Sequence, residues 1–151
     1  EKKSLNLNES VFVVEQNVAG LLKQTNGKII NEISDDTTIK ALPAYLNSIL
    51  TNCITNSIKY RCEEKKPIII LSVQEDKNYT TLSVEDNGLG IDLEKYGDQL
   101  FGLYKTFHRN KESRGIGLYI TKNQMEAMNG KITVESTPGQ GSIFRFHFNK
   151  K

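Results

Sequence analysis

Residues 46–61, LNSILTNCITNSIKYR, constrain the chain most, because they form two distinct faces when built as a helix. Asparagine is a poor residue for a helix interior, since its amide competes for backbone hydrogen bonds. Two asparagines one turn apart, followed by a cation and an aromatic ring, favour a helix that faces a ligand. A solvated face with a chance pair of amides is an equally good interpretation of this stretch alone. The polar stripe is Asn52, Asn56, Lys59 and Tyr60, and the mostly apolar face is Leu46, Leu50, Cys53, Ile54, Ser57 and Ile58.

Composition places the chain among ordinary globular proteins. It has 151 residues, of which 37% are hydrophobic and 25% charged, so we interpret residues 1–151 as a single domain with its own core. A net charge of +2 is too weak to indicate nucleic acid or an anionic membrane as a partner. No apolar run approaches the ~20 residues of a membrane span. Because the sequence opens at Glu1 without an initiator methionine or a signal peptide, we expect a piece of a longer protein.

Cysteine and histidine do not form a recognisable metal or catalytic cluster. Cys53 and Cys62, if both lie on one helix, are ~13 Å apart, which is too far for a disulfide. Reduced thiols fit a cytosolic compartment. His108 and His147 are isolated in the sequence, so a catalytic role is not favoured for either.

Hydrophobic periodicity predicts alternating helices and strands. Asn8 is expected to cap the first helix, and Pro43 fits the first turn of the asparagine-bearing helix, which should end before Pro67. The predicted elements are a strand at 5–7, a helix from residue 8 to about 26, strands at 28–33 and 38–41 around a turn at 34–36, the asparagine-bearing helix, strands at 67–73 and 79–85, a helical turn at 92–98, a helix opened by 115–118, and a closing hairpin of 131–136 and 142–148.

An acidic residue follows the second of the two central strands. Strand alternation places Asp86 on the same face as Leu82 and Val84, towards the core. A buried carboxylate is costly unless it is hydrogen-bonded, and Gly88 and Gly90 directly after it allow a tight turn and a close approach of a ligand. A strand-ending turn with a solvated aspartate is the alternative, because such turns are common.

Two further segments have a composition typical of binding loops. Residues 100–114 have no clean period and mix aromatic with basic side chains, which favours a lid or binding loop over a disordered one. Gly115 and Gly117 then open the last helix, and exposed backbone N–H groups at such a start suit a phosphate. A flexible joint between loop and helix is about as good an interpretation of these glycines.

The C-terminal residues predict the rest of the core. On the last helix we expect Ile116, Ile120 and Ala127 to face the sheet. On the final strand, alternation places the Ser142 hydroxyl on the core face and directs Arg145 and His147 towards solvent. The aromatic residues that share the core face with Ser142 are Phe144, Phe146 and Phe148.

Four motifs in a fixed order resemble one superfamily. They are the asparagine-rich helix, the DNGLGI turn, the RGIGL helix start and the GQGS strand entry. Together they resemble the GHKL ATPases, which include gyrases, heat-shock chaperones, mismatch-repair proteins and sensor histidine kinases. Over residues 5–148 the chain is most similar to the catalytic and ATP-binding domain of a bacterial histidine kinase.

The resemblance implies ATP and Mg²⁺ as ligands. NSIKY matches the family's N box, so Asn56 is expected to give its amide oxygen to Mg²⁺ and Lys59 to meet phosphate oxygens. Asp86 is expected to accept a hydrogen bond from the 6-amino group of adenine, and the hydroxyl of Ser142 to bond Asp86 or a water beside it. The further residues that the resemblance places around ATP are Asn52, Tyr60, Gly88, Gly90, Ile91, Phe101, Phe107, Arg114, Gly115, Ile116, Gly117 and Leu118.

Position 52 favours a kinase over a hydrolytic ATPase. Gyrase-like members have a glutamate one turn before the metal-binding asparagine, as the general base for water, whereas this chain has Asn52, which cannot take a proton. We therefore assign Asn52, Asn56 and Lys59 to the catalysis of phosphoryl transfer. Ser57 stands where the family often has alanine, which we interpret as a minor change. A phospho-accepting histidine is not evident, and we expect it on a helical domain before Glu1.

The predicted fold is a two-layer α/β (α+β) sandwich, with a mixed sheet of about five strands and three main helices on one face. As partners we expect the phosphoacceptor and dimerisation domain of the same protein and a response regulator, with a homodimeric parent and a monomeric fragment. We expect the domain to be cytoplasmic, and the sequence is compatible with a parent protein that is membrane-bound. The alternatives are an anti-sigma-factor-like serine kinase and a degenerate domain that only docks a partner.

Overall fold

The computed structural model describes residues 1–97, 100–101 and 112–151, with side chains in the last range from residue 118 onward. Within these ranges the chain forms seven strands and four helices. In chain order the elements are β1 Lys3–Asn6, α1 Leu7–Thr25, β2 Lys28–Asn31, β3 Thr38–Ala41, α2 Pro43–Lys59, β4 Ile68–Glu75, β5 Tyr79–Asp86, α3 Leu93–Tyr96, α4 Glu112–Ala127, β6 Lys131–Thr137 and β7 Gly141–Asn149.

The main sheet has five strands in the order β2-β4-β5-β7-β6. Its neighbouring strands are antiparallel except for β2 and β4, which run parallel, so the sheet is mixed as predicted. Phe146 and Phe148 of β7 are almost fully buried on the face that also buries Leu82 and Val84 of β5. The long helices α1, α2 and α4 form the second layer of this core. The predicted two-layer α/β sandwich is therefore confirmed.

The turn predicted at residues 34–36 is present, but the strands on either side of it do not form a hairpin. β3 pairs with β1 in a separate two-stranded sheet, whereas β2 pairs with β4. The Asn8 amide nitrogen donates to the backbone oxygen of Ile33 at 3.0 Å and to Asp35 at 2.9 Å, which ties the connection to the start of α1. Asn8 is therefore not the helix cap: the side chain of Asn6 caps α1 by accepting from the backbone N–H of Glu9.

The last long helix differs from its prediction in two ways. α4 begins at Glu112, three residues before Gly115, so the glycines lie within its first two turns. Its buried side is formed by Leu118, Thr121 and Met125, whereas Ile120 is 42% exposed and Ala127 is also exposed. Both stripes fit the helical period but lie about 150° apart around the helix, and the sequence alone favoured the one that contains two isoleucines. The side chain of Ile116 lies outside the described residues.

Candidate nucleotide-binding site

Helix α2 has the two faces that its sequence predicted, except that Tyr60, assigned to the polar stripe, is buried directly after the helix end. Ile54 and Ile58 are fully buried against the sheet, whereas Asn52 and Asn56 are half-buried and Lys59 is exposed. Pro43 is the first helical residue, where its missing N–H costs no hydrogen bond. The helix ends at Lys59, so Cys62 lies beyond it and not on the same helix as Cys53; neither cysteine forms a disulfide bond. Because the apolar face of α2 packs against the sheet, its asparagine stripe is directed away from the sheet.

Asp86 ends β5 as a buried carboxylate, and each of its two oxygens is hydrogen-bonded. The residue is only 8% exposed. Its Oδ1 accepts from the backbone N–H of Gly88 at 2.9 Å and of Ser142 at 3.3 Å, and its Oδ2 accepts from the hydroxyl of Ser57 at 3.0 Å. Hydrogen bonds to a charged acceptor are the strongest class in proteins, which explains how a carboxylate is accommodated at this depth. Its predicted orientation towards the core is confirmed.

Helix α2, which carries the asparagine stripe, is joined directly to the strand end and turn that carry Asp86. Ser57, whose hydroxyl reaches Asp86, directly follows Asn56 in α2. Directly after the end of α2, the backbone oxygen of Tyr60 accepts a hydrogen bond from the N–H of Leu89 at 3.1 Å. The end of α2 is thereby also bonded to the glycine-containing turn after Asp86. Tyr60 itself is 4% exposed, and Lys59 places its ammonium 5.6 Å from the centre of the Tyr60 ring.

Both glycines of the DNGLGI turn lie close to backbone atoms of other segments of the chain. A Cβ on Gly88 would lie 2.8 Å from the backbone oxygen of Tyr60. Gly90 has a φ of +75°, and a Cβ there would overlap the backbone of Thr137. Both positions therefore need glycine for packing, in addition to any approach of a ligand, which stays a prediction.

We expect the substitution Gly90→Ala to destabilise the fold by about 3 kcal/mol, from left-handed strain plus the overlap with Thr137. Gly139 is the matched control, because its φ is +81° and its Cβ would meet nothing within 4 Å. Gly139→Ala should cost only about 1 kcal/mol, the strain alone. Urea unfolding of the two variants measures the difference, and equal losses would show that the packing against Thr137 is not limiting.

The β6–β7 turn closes the site from the other side. The N–H of Ile91, which is 4% exposed, donates to the hydroxyl of Ser136 at 2.7 Å, and the N–H of Gly139 donates to the backbone oxygen of Leu89 at 2.7 Å. The Ser142 hydroxyl pairs with that of Ser136 at 2.7 Å. The direct bond predicted from the Ser142 hydroxyl to Asp86 is therefore wrong, because the backbone N–H of Ser142 makes it instead. The predicted alternative, a bond from that hydroxyl to a water beside Asp86, stays a prediction.

Part of the predicted site lies outside the described residues. Phe107 and His108 lie there entirely, and the surroundings of Arg114, Gly115, Ile116 and Gly117 are also not described. Of the remaining predicted positions, Phe101 is half-buried against the core and Leu118 is 5% exposed. The lid and the phosphate contacts of the second glycine motif stay predictions.

His147 is a structural residue on the sheet face opposite the helices. Its two ring nitrogens lie 3.0 Å from the Thr81 hydroxyl and 2.9 Å from the Thr133 hydroxyl, so it is held between strands and not directed freely to solvent as expected. Partial burial, and then the nearby charges of Lys131 and Arg145, hold the pKa of His147 below its ordinary value. Its position on the opposite face of the sheet separates it from the candidate site.

Ser57 is the residue near Asp86 that the sequence interpretation underrated. It lies on the buried side of α2 between Ile54 and Ile58, and it is 5% exposed. A single hydroxyl on an apolar helix face must find a partner, since buried polar groups are nearly always hydrogen-bonded. That signal was present in the sequence, and the partner is Asp86.

Comparison with known proteins agrees with this site. A family model described as "Histidine kinase-, DNA gyrase B-, and HSP90-like ATPase" matches residues 41–151. Cyanobacterial phytochrome A of Nostoc sp. is 36% identical over 111 residues, which are 72% of this chain and 14% of that protein. Sensor protein kinase WalK of Staphylococcus haemolyticus is 33% identical over 120 residues, which are 76% of this chain and 20% of WalK. The chain thus spans a fifth or less of these relatives.

Solved structures share the fold over nearly the whole chain. The nucleotide-free catalytic domain of histidine kinase ThkA superposes with a TM-score of 0.84 at 23% identity, covering 99% of this chain and 97% of that domain. Full-length ShkA in complex with AMPPNP superposes with a TM-score of 0.80 at 23% identity, covering 98% of this chain and 31% of ShkA. At this level of identity the likeness establishes the fold.

The fold and the family match define the class: the chain belongs to the family of histidine kinase-, DNA gyrase B- and HSP90-like ATPases, for which ATP is the nucleotide. Within that family it is a sensor histidine kinase ATP-binding domain, as its four motifs predicted. In the part of the chain that the structure describes, no helix is both long and apolar enough to cross a membrane.

Proposed function

We propose that the domain binds Mg²⁺·ATP between α2 and the Asp86 turn, and supplies the γ-phosphoryl group to a histidine on a separate helical domain. The observation that carries the proposal is the hydrogen bond from Ser57 to Asp86 at 3.0 Å, which joins the helix of Asn56 to the predicted adenine acceptor. A base acceptor and a metal-binding amide on adjacent elements suit a ligand with a base at one end and phosphates at the other.

The polar stripe of α2 supports transfer in preference to hydrolysis. Asn52 and Asn56 are half-buried and Lys59 is exposed, so the stripe offers two amides and a cation to the phosphates. An amide cannot remove a proton from water, whereas phosphoryl transfer needs chiefly positioning and neutralisation of charge. The site should therefore retain ATP for an acceptor supplied by another domain.

Asn56 fits the role of a magnesium ligand. Mg²⁺ prefers oxygen ligands and usually keeps several waters and phosphate oxygens, so one amide oxygen from the protein is a sufficient anchor. Among the described residues there is no cluster of three acidic, histidine or cysteine side chains that would hold a metal alone. Bound there, the ion would neutralise phosphate charge; Asn56 orients it, and Lys59 adds a second positive charge.

The whole protein would supply the remaining partners. We propose that the acceptor histidine lies on a dimerisation domain of the same, homodimeric protein, that a response regulator receives the phosphoryl group, and that this domain works in the cytoplasm. The kinase activity in this proposal is supported by the likeness to sensor protein kinase WalK.

The proposal is tested by incubating the domain with Mg²⁺ and γ-labelled ATP, alone and with the helical region of its parent protein. We expect ATP binding by calorimetry, negligible label on the domain alone, and label on the helical region that acid removes, as is typical of phosphohistidine. Label on this domain alone would contradict the proposal, and acid-stable label on a protein substrate would favour the serine-kinase alternative.

A further inference from the structure

We propose that Ser57 is a positioning residue that determines the specificity of the site for adenine, by leaving Asp86 with a single free acceptor position. This inference rests on the proposed function and deepens it. It concerns a residue at which the sequence departs from the alanine often found there, and the departure is buried against the residue expected to contact the base.

The hydrogen bonds of Asp86 are unequally divided between its two oxygens. Oδ1 accepts from two backbone N–H groups, those of Gly88 and Ser142, at 2.9 and 3.3 Å. Oδ2 accepts from the Ser57 hydroxyl at 3.0 Å. A carboxylate oxygen accepts about two hydrogen bonds, so Oδ1 is saturated and Oδ2 retains one position.

One acceptor position matches one N–H donor. The 6-amino group of adenine offers such a donor, whereas guanine presents a carbonyl oxygen at the same place, which a carboxylate repels. Because the Ser57 hydroxyl and the two backbone groups occupy the other three positions, the carboxylate cannot rotate without breaking a bond. Ser57 therefore fixes where the remaining acceptor lies, and its position in α2 ties that acceptor to the neighbouring Asn56.

Removal of the hydroxyl should weaken the contact to the base. In Ser57→Ala the acceptor position of Oδ2 that the hydroxyl had occupied receives no hydrogen bond from residue 57. Residues 57 and 86 are both more than nine-tenths buried in the unaltered protein. Bound adenine would then cover an acceptor that is only half satisfied, which is costly for a charged group. Without nucleotide, water can reach that oxygen, so the cost falls on the bound state.

The experiment compares ATP with purine riboside triphosphate, which has hydrogen in place of the amino group. By calorimetry with Mg²⁺ we expect Ser57→Ala to bind ATP about tenfold more weakly. Its affinity for purine riboside triphosphate should stay within about twofold of that of the unaltered domain, since that ligand makes no bond to Asp86. Ser57→Cys, which keeps the shape but donates weakly, should show an intermediate loss confined to ATP.

Thr55→Ala is the matched control, because it removes a hydroxyl from the same helix that donates to the backbone oxygen of Thr51 at 2.7 Å. It should leave both affinities unchanged. Equal losses for both nucleotides in Ser57→Ala, or an unchanged affinity for ATP, would overturn the role of Ser57 while the proposed function stands. If the unaltered domain bound neither nucleotide, the proposed function would fail, and this inference with it.

Discussion

Asn56→Ala is expected to lower the affinity for Mg²⁺·ATP about 100-fold, because it removes the one protein oxygen proposed for the metal. The fold should be unaffected, since Asn56 is half-buried on the polar stripe of α2 and the adjoining apolar residues Ile54 and Ile58 form the core contact. Alanine is also the better residue for a helix interior. The loss should appear only when magnesium is present.

Calorimetric titrations with and without Mg²⁺ measure this difference. Asn17→Ala is the matched control, since Asn17 is exposed on α1 and the change again replaces an asparagine within a helix. An Asn56→Ala domain that still gained affinity from magnesium would contradict the metal role. Thermal unfolding of both variants shows whether the fold is retained.

The parts of the fold that the sequence predicts well depend on local periodicity. Alternation along β5 places Asp86 on the core side, and alternation along β7 places Phe146 and Phe148 there. Both results follow from the period of two, which a strand obeys whatever its neighbours are. The two faces of α2 follow equally from the period of 3.6.

The parts of the fold that the sequence does not predict depend on contacts between residues that are distant in the chain. β2 joins β4 across about 40 positions, while the short turn before β3 favours a hairpin that does not form. A polar network around Asn8 directs the chain away from that hairpin, and side-chain bonds to a loop 25 residues away are not visible in a local pattern. For α4, which stripe is buried depends on the shape of the sheet beneath it.

The positions of Asn56 and Asp86 on neighbouring elements agree with the predicted site, whereas one predicted contact does not. The motif order placed Asn56 and Asp86 in one site, and the structure brings their elements together through Ser57. The same motifs gave Ser142 a hydroxyl contact that its backbone makes instead. A motif carries residue types at given spacings, whereas the rotamer of a small hydroxyl depends on the neighbours present in this chain, here Ser136.

Asp86→Asn is expected to reverse the preference for the base. Oδ1 accepts from two backbone N–H groups, so the asparagine must place its amide oxygen there and its NH₂ group at the position of Oδ2. The base then meets a donor where it met an acceptor. ATP should bind about 30-fold more weakly, whereas inosine triphosphate, which has a carbonyl at position 6, should bind better than before.

Competition binding to the unaltered domain and to Asp86→Asn measures the ratio of the affinities for ATP and for inosine triphosphate. Asp76→Asn is the matched control, because its Oδ1 also accepts from two backbone N–H groups, those of Asn78 and Tyr79, in the turn between β4 and β5. It should leave the ratio unchanged. A ratio that stayed constant in Asp86→Asn as well would mean that the base does not contact Asp86, because an exchange of acceptor for donor at a fixed position cannot be neutral to both a 6-amino and a 6-carbonyl purine.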